Sequence, residues 1–384
     1  MRPDPPPKPL AVERDVVPES LPAAAWNALA PGQPLLSHAF LSALHETGCA
    51  SRATGWTPRY LAARRGGRLV GALPLYAKTH SWGEYVFDWG WADAYRRHGR
   101  RYYPKLVAAI PFTPVTGPRL LGGDPEARAA LLAEARALLA AEPYSSLHLL
   151  FLDAEDADLC EGSGCTMRSG VQFRWSNAGY ADFDAFLATF SRDKRKKARQ
   201  DRRRVAESGV TFVRKTGAAI GADDWALLHR CYEATYRAHH STPYLTRAFF
   251  ERIGATMPEH LLLAVGYRDG RPLCAALDVF NDTTLWGRYW GTLEYVPGLH
   301  FEACYYQAIE FAIERGLATF EGGAQGLHKL ARGLAPVVTR SAHLIGDPAF
   351  AAAIADYCAR EHADIGHTVG ELERSSPYRA AREC

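Results

Sequence analysis

The chain has 384 residues, of which 47% are hydrophobic and 11% aromatic, and its formal net charge is only +3. This length predicts two or three domains, and the composition supplies an ordinary core for each, which excludes a wholly disordered protein. No apolar run reaches about 18 residues, which excludes a helix that spans a membrane. The eight cysteines form no CxxC pair and the fourteen histidines no HExxH motif. We therefore expect reduced thiols, no metal and no cofactor.

The first nine residues and the cysteines together predict where in the cell the protein is found. Residues 1–9 are rich in proline and lack the apolar core of a signal peptide, so we expect a disordered leader. Free thiols are usual in the cytoplasm, and we expect a cytoplasmic protein. The sequence carries no signal of an oligomeric state.

Three short strings recur in one order at an offset of about 203 residues. The matched strings are residues 65–72 with 268–275, 82–85 with 286–289, and 102–110 with 305–313. Internal repetition of this kind indicates duplicated structural units. We therefore predict two copies of one mixed α/β unit, at residues 10–180 and 210–384.

The second copy shows the predicted order of elements within one unit. Apolar runs predict strands at residues 261–267, 273–280 and 285–290, with a hairpin turn at 268–270. Residues 301–315 have apolar side chains at helical spacing, and a short strand is predicted at 318–321. Antiparallel strands followed by a helix and another strand are typical of the GNAT acyltransferase fold, although other α/β sandwiches share this pattern. The predicted fold class is α/β (α+β), with a mixed, mostly antiparallel sheet and flanking helices in each copy.

A strongly basic segment lies between the copies, in the region 181–209. Residues 192–204 contain nine basic and two acidic side chains, a net charge of +7, so the rest of the chain sums to −4. We predict a helix, on which Arg192 and five further residues share roughly a third of the circumference. These five are Arg195, Lys196, Arg199, Arg202 and Arg203. Such a stripe indicates either a solvated connecting helix or a binding site for phosphates, on a nucleic acid or on a phosphate-bearing donor.

Four longer strings carry a resemblance to a known family. Residues 87–95, 112–119, 300–316 and 320–333 resemble the FemAB-like group of the GNAT superfamily, which includes predicted N-acyltransferases, and the likeness runs from about residue 37 to 343. It implies tandem GNAT domains and acyl transfer to an amine. The chain is more distantly similar to Fem-type transferases, which use aminoacyl-tRNA to extend peptidoglycan precursors.

The identity of the donor depends on a motif that is missing. GNAT enzymes that use acetyl-CoA usually carry an R/Q-x-x-G-x-G/A loop, whose amides hold the pyrophosphate. Neither residues 95–101 nor residues 295–300 contain it. We therefore favour aminoacyl-tRNA as donor and tRNA as partner. An acyl-CoA donor, or a non-catalytic module that binds peptidoglycan or RNA, remains an alternative.

Candidate catalytic residues concentrate in the second copy. Glu302, Glu321 and His328 are candidates for proton removal, although a glutamate at a helix start is also explained by the helix dipole. The resemblance to Fem-type proteins implies that Lys329 contacts phosphate or the oxyanion. Arg288 stands where the first copy has Glu84, which indicates that the second copy is catalytic and the first is acceptor-binding or structural.

Substrate-binding candidates lie in both copies. Tyr305, Gln325 and Arg332 surround the glycine-rich segment 322–326, where a backbone could approach a ligand closely or form an ordinary turn. Asp88 and Asp93 lie among tryptophans in the first copy and are candidates for binding an acceptor amine.

Overall fold

A computed structural model describes residues 8–323 and 326–379. The chain divides into two compact units, residues 1–170 with 339–363 and residues 171–338 with 364–384. This division differs from the one predicted at 10–180 and 210–384. The basic segment belongs to the second unit, because its helix packs on other helices there. Residues 340–345 belong to the first unit, because they pair with a strand of that unit.

Within the described residues, strands and helices alternate along most of the chain. The strands are β1 Leu10–Val16, β2 Trp56–Pro58, β3 Tyr60–Arg65, β4 Arg68–Leu73, β5 Leu75–Lys78, β6 Lys105–Ala108, β7 Ser146–Leu152, β8 Thr166–Ser176, β9 Val210–Thr216, β10 Leu261–Arg268, β11 Arg271–Phe280, β12 Thr284–Thr292, β13 Thr319–Glu321 and β14 Ala335–Ile345. The helices are α1 Ala23–Asn27, α2 His38–Glu46, α3 Trp89–Arg97, α4 Pro125–Ala141, α5 Ala154–Gly162, α6 Phe183–Ala188, α7 Arg192–Glu207, α8 Ala222–Ala238, α9 Arg247–Thr256, α10 Leu299–Phe301, α11 Gln307–Glu314 and α12 Pro348–Arg374. A π-helical turn at Glu302–Tyr306 joins α10 to α11, and a 3₁₀ segment covers Leu327–Arg332.

The first unit is built on two sheets, with strand orders β1-β3-β4 and β2-β5-β6-β7-β14. Strand β6 runs parallel to β7, and α4 lies between them in the chain. Asp124 accepts hydrogen bonds from the first amides of α4, which satisfies donors that have no partner within the helix. Leu131, Leu138 and the alanines beside them are buried on one face of α4 against the core strands. The spacing of these residues therefore fixes which face of the helix packs on the sheet.

The second unit repeats this arrangement. Strands β9, β10, β11 and β12 are antiparallel neighbours, β13 pairs with β12 in parallel, and β8 closes the other side of β13. The helical segment α10–α11 connects β12 to β13, and its buried face joins the aromatic residues of α6 in one core. The strands predicted at 261–267, 273–280, 285–290 and 318–321 are confirmed as β10 to β13.

The two units share one strand order, which confirms the predicted duplication. Strand β1 corresponds to β9, β3 to β10, β4 and β5 together to β11, β6 to β12, and β7 to β13. A helix precedes the last strand in each unit. The hairpin strings at 65–72 and 268–275 occupy matching places, since each closes the corresponding two-strand turn.

The other two string matches, residues 82–85 with 286–289 and 102–110 with 305–313, were wrong. Residues 82–85 lie in a loop, whereas residues 286–289 lie in β12. Tyr102 and Tyr103 precede β6, so the helix expected there is absent from the described structure, whereas Tyr305 and Tyr306 lie in a helical segment. The cause is the connection between corresponding strands: residues 79–104 join β5 to β6, but only residues 281–283 join β11 to β12. A constant offset cannot survive such an insertion.

Among the helices of the described residues, none combines the length and apolar character that crossing a bilayer requires.

Gly291 allows helix α8 to approach strand β12. A Cβ atom at Gly291 would lie 1.9 Å from the carbonyl oxygen of Cys231. We expect Gly291→Ala to lower the free energy of unfolding by at least about 2 kcal/mol, because backbone atoms must move apart. The control is Gly366→Ala on α12, where the added methyl meets nothing within 4 Å. That change should stabilise the helix by about 0.5–1 kcal/mol. Urea denaturation measures both, and an equally stable Gly291→Ala variant would contradict this packing.

Candidate active site

The second unit contains a pocket where β12 and β13 part. These strands pair only between Thr284–Trp286 and Thr319–Glu321, while β12 continues to Thr292. The gap forms a pocket of about 120 Å³ that the helical segment after β12 also borders. Its lining comprises Ala276, Leu277, Asp278, Gly287, Arg288, Tyr289, Trp290, His300, Cys304, Tyr305, Phe320 and Gly322.

A β-bulge places two charged residues at this pocket. Leu277 pairs with Tyr289, but Asp278 pairs with Gly287, so Arg288 is an extra residue in β12. A bulge bends its strand and redirects the side chains around it, and bulges are common beside active sites. Arg288 and Asp278 consequently both line the pocket.

Asp278 is the residue that the sequence analysis missed. Its side chain is 2% exposed, and its Oδ2 atom has no hydrogen-bond partner among the described residues. Burial raises the pKa of Asp278 well above 3.8, against the opposing charge of Arg288. A buried carboxylate with a free oxygen and a raised pKa is a stronger base than an exposed one, which suits it to take a proton from an attacking amine. The available signal was a single acid within the apolar strand at 273–280.

Lys329 lies beside the pocket and is held by a backbone carbonyl. Its Nζ atom donates to the oxygen of Gly323 at 3.0 Å, and the side chain is 4% exposed. Burial lowers the pKa of Lys329 from 10.5 to about 8. Lys329 is therefore a cation that can release its proton within the ordinary pH range.

Cys304, which lines the pocket, is not a candidate nucleophile. Burial raises the pKa of its thiol well above 9.0, so Cys304 stays protonated.

Two histidines and their aromatic neighbours form one wall. The rings of His300 and Trp290 lie 4.6 Å apart, and the hydroxyl group of Tyr305 lies 3.1 Å from Nε2 of His328. Burial lowers the pKa of His300 to about 4 and also lowers that of His328. Both rings are therefore neutral at pH 7. His328 contacts two residues that line the pocket, Tyr305 and His300, and the ring centroids of the two histidines lie 5.6 Å apart.

The two glutamates of the sequence analysis are engaged in ion pairs. Glu302 lies against helix α7, where it accepts hydrogen bonds from Nη2 and Nε of Arg202 at 3.0 and 3.1 Å. Glu321 accepts one from Arg174 at 2.7 Å, and burial raises the pKa of Glu321. These contacts identify Glu302 as an anchor for α7.

Arg332 is also held by contacts within the fold. Its guanidinium group donates to Asp201 at 3.0 Å and to the His328 carbonyl at 2.9 Å, and it lies over the ring of Phe301. Gln325 lies outside the described residues. Among the candidates in the second copy, Arg288 and Tyr305 line the pocket and Lys329 lies beside it.

The basic segment forms helix α7, as predicted, but its stripe is divided. Ala198 and Val205 are buried, Arg202 turns inward to Glu302 and Glu310, and Arg195 is half-buried. At 100° per residue, the exposed cations that remain in the predicted stripe span only about 60° of the helix. These are Arg192, Lys196, Arg199 and Arg203, of which Arg199 also forms an exposed ion pair with Asp184 at 2.9 Å. The prediction that Arg202 belongs to a free phosphate-binding face is therefore wrong, because its charge is matched within the fold.

The first-unit candidates do not lie in one site. Asp88 is buried, accepts a hydrogen bond from Tyr102 at 2.6 Å and pairs with Lys105. Burial acts to raise the pKa of Asp88, but the adjacent Lys105 ammonium outweighs it, and the pKa is lowered. Glu84 pairs with the same lysine at 2.7 Å. Asp93 is exposed on α3 and pairs with Arg96 and Arg97.

The repeated strand order and the pocket between parting strands define a protein with tandem GNAT domains. A model of the FemAB-like family, described as peptidoglycan biosynthesis/recognition, matches residues 18–380. The chain therefore belongs to the FemAB-like family.

Two solved structures with TM-scores above 0.5 show the same fold at low sequence identity. FemX is 14% identical with a TM-score of 0.53, over 87% of this chain and 97% of FemX. A conserved protein of unknown function from Bacteroides thetaiotaomicron is 11% identical with a TM-score of 0.51, over 88% and 98%. A tandem GNAT protein from clavulanic acid biosynthesis is 12% identical with a TM-score of 0.44, over 88% and 99%. No curated protein matches the sequence significantly.

The lowered pKa of Lys329 predicts a pH-dependent effect on stability. The unfolded lysine titrates near 10.5 and the folded one near 8, so folding opposes its protonation. Lys329→Met should raise the free energy of unfolding by roughly 1–3 kcal/mol below pH 8. The gain should disappear toward pH 10.5, where the unfolded lysine also loses its proton. Urea denaturation at pH 7 and pH 10 measures this, with exposed Lys197→Met as the control. Equal gains at both pH values would contradict the assignment.

Proposed function

We propose that the protein is an N-acyltransferase that moves an aminoacyl group from aminoacyl-tRNA to an amine acceptor. The acceptor is a cell-wall precursor or a small metabolite, and transfer occurs in the pocket of the second unit. The observation that carries the proposal is the exposed basic face of α7, on a helix fixed to the elements that form the pocket wall.

Two ion pairs connect α7 to the pocket wall. Arg202 pairs with Glu302, one turn before Cys304 and Tyr305, which line the pocket. Asp201 pairs with Arg332, at the end of the 3₁₀ segment that also carries Lys329. A polyanion bound along the exposed face of α7 would therefore contact a helix whose other side is fixed to the pocket wall.

The length of the basic face favours a nucleic acid over a single pyrophosphate. Eleven residues separate Arg192 from Arg203, which is roughly 16 Å along a helix. A backbone with repeated phosphates can meet these four cations over that distance, with Arg199 exchanging its exposed partner Asp184 for a phosphate. Each such contact releases counterions.

The turn before α10 gives little support to a coenzyme A cradle. Pro297 has no N–H group, and the amide of Leu299 already donates to the carbonyl of Val296 at 3.1 Å. The amides of Phe301 and Glu302 donate to the carbonyl of Gly298. A pyrophosphate at this helix start would therefore compete with existing hydrogen bonds.

The pocket offers groups for each stage of the reaction. The acceptor nitrogen attacks the ester carbonyl carbon of the donor, the amide C–N bond forms, and the ester C–O bond breaks. In its carboxylate form, Asp278 takes the proton that the nitrogen loses, and its raised pKa makes it a stronger base than an ordinary aspartate. Lys329 gives a proton to the departing ribose oxygen. Arg288, beside Asp278, balances the negative charge that develops on the carbonyl oxygen.

The acceptor class rests on the family. The FemAB-like family is described as peptidoglycan biosynthesis/recognition, and FemX shares the fold. The family description supports an amine of a peptidoglycan precursor as the first acceptor to test.

A donor screen tests the proposal directly. Purified protein is incubated with charged tRNA pools or a panel of acyl-CoAs, and transferred groups are detected by mass spectrometry. We expect transfer from charged tRNA, and Asp278→Asn should lower turnover by about 10²–10⁴-fold while tRNA binding persists. Asp282→Asn, at the exposed turn between β11 and β12, should be fully active. Transfer from acyl-CoA alone would overturn the donor assignment, and no transfer from either donor would favour a recognition module.

The salt dependence of tRNA binding tests the basic face. Lys196/Arg199/Arg203→Ala should reduce the slope of log K against log salt by about 2–3, since each lost phosphate contact removes about 0.7–0.9. The matched control, Lys194/Lys197/Arg204→Ala, removes three charges from other faces of the same helix. Its slope should change much less. Equal effects of the two triple variants would show that α7 acts only through its total charge.

A further inference from the structure

The proposed function leaves an arginine-rich run in the first unit unexplained. Residues 95–101 read Tyr-Arg-Arg-His-Gly-Arg-Arg and extend from the end of α3 toward β6. Arg96 and Arg97 pair with Asp93 on the exposed face of α3. Arg100 and Arg101 instead line a groove of about 740 Å³, which the ends of α4 and β14 also border.

The described lining of this groove carries excess positive charge. Three guanidinium groups, on Arg100, Arg101 and Arg136, face one carboxylate, on Asp347. Arg136 donates to the carbonyl oxygen of Ser163 at 2.5 Å, which fixes its position. In the described part of the chain, the guanidinium groups of Arg100 and Arg101 have neither a hydrogen bond nor an ion pair. The groove therefore presents cations that are not neutralised within the fold.

Tyr95 provides an independent sign of a ligand. Its side chain is 3% exposed, lines the groove, and has a hydroxyl group without a hydrogen-bond partner among the described residues. The ring is held by Phe350, with centroids 3.9 Å apart, and by Tyr102 at 5.1 Å. Burial raises the pKa of Tyr95 to about 12, so the hydroxyl remains a donor at neutral pH. A buried donor without a partner is unfavourable, and an anion in the groove would satisfy it.

We propose that this groove binds a soluble phosphorylated small molecule of nucleotide size, whose phosphates contact Arg100 and Arg101 and accept a hydrogen bond from Tyr95. The volume of the groove lies within the usual range for small-molecule sites, roughly 300–1,000 Å³. Each planar guanidinium group can bind two oxygen atoms of one phosphate. Two arginines side by side therefore suit a diphosphate better than a single carboxylate. Tyr144 and Leu139 supply apolar surface for the rest of the ligand.

Calorimetric titration of the full chain with inorganic pyrophosphate and with adenosine diphosphate tests this site. Arg100/Arg101→Ala should weaken both affinities at least tenfold, and Tyr95→Phe should weaken them about three- to tenfold through one lost hydrogen bond to a charged group. The matched control is Arg96/Arg97→Ala, which removes the same charge from the same run but away from the groove. Its affinities should be unchanged.

Two further arms exclude other sources of binding. The titrations are repeated in the Lys196/Arg199/Arg203→Ala background, which removes the basic face of α7 without altering the groove. Vesicles of phosphatidylglycerol present the same phosphate chemistry on a lipid surface. The proposal is overturned by unchanged affinity in Arg100/Arg101→Ala, by equal losses in the two double variants, or by binding to vesicles alone. Absence of binding to pyrophosphate and adenosine diphosphate at millimolar concentration would also overturn it.

Discussion

The ion pair between Arg202 and Glu302 connects the most basic element of the chain to its candidate active site. Glu302 is 4% exposed, and a buried carboxylate without a partner would be strongly destabilising. Arg202 meets it with two hydrogen bonds, so helix α7 is held in one rotation about its axis. That rotation decides which cations remain exposed. Helix α7 is therefore more than a charged connector, because the contacts of its inward face fix which side chains its outward face presents.

The pocket depends on one inserted residue. Without the bulge at Arg288, the side-chain alternation along the second half of β12 would be reversed. Tyr289 and the residues after it would then exchange faces. The early end of β13 adds the second requirement, since a longer β13 would fill the gap that forms the pocket. Strand register and strand length together create the space in which Asp278 and Arg288 meet.

The sequence predicted elements well where hydrophobic patterns were continuous. Strands β10 to β13 and helix α7 lie close to their predicted bounds, because apolar runs and a continuous charged run are local signals. The duplication was also visible in the hairpin strings. Asp278 was missed because one acid in an apolar strand is ambiguous until the bulge shows which face it occupies. Arg202 was assigned to the free face because a charge count does not reveal Glu302, which lies 100 residues later in the chain.

The environment of Lys329 has a consequence for covalent chemistry. An amine with a pKa near 8 is unprotonated in about a tenth of molecules at pH 7, whereas an ordinary lysine at 10.5 is unprotonated in fewer than about one in a thousand. Beside an activated ester, such an amine competes with the true acceptor and can be acylated itself. The hydrogen bond to Gly323 limits this by directing the nitrogen toward the backbone. Because Lys329 is only 4% exposed, its reactivity is restricted to groups that enter the pocket beside it.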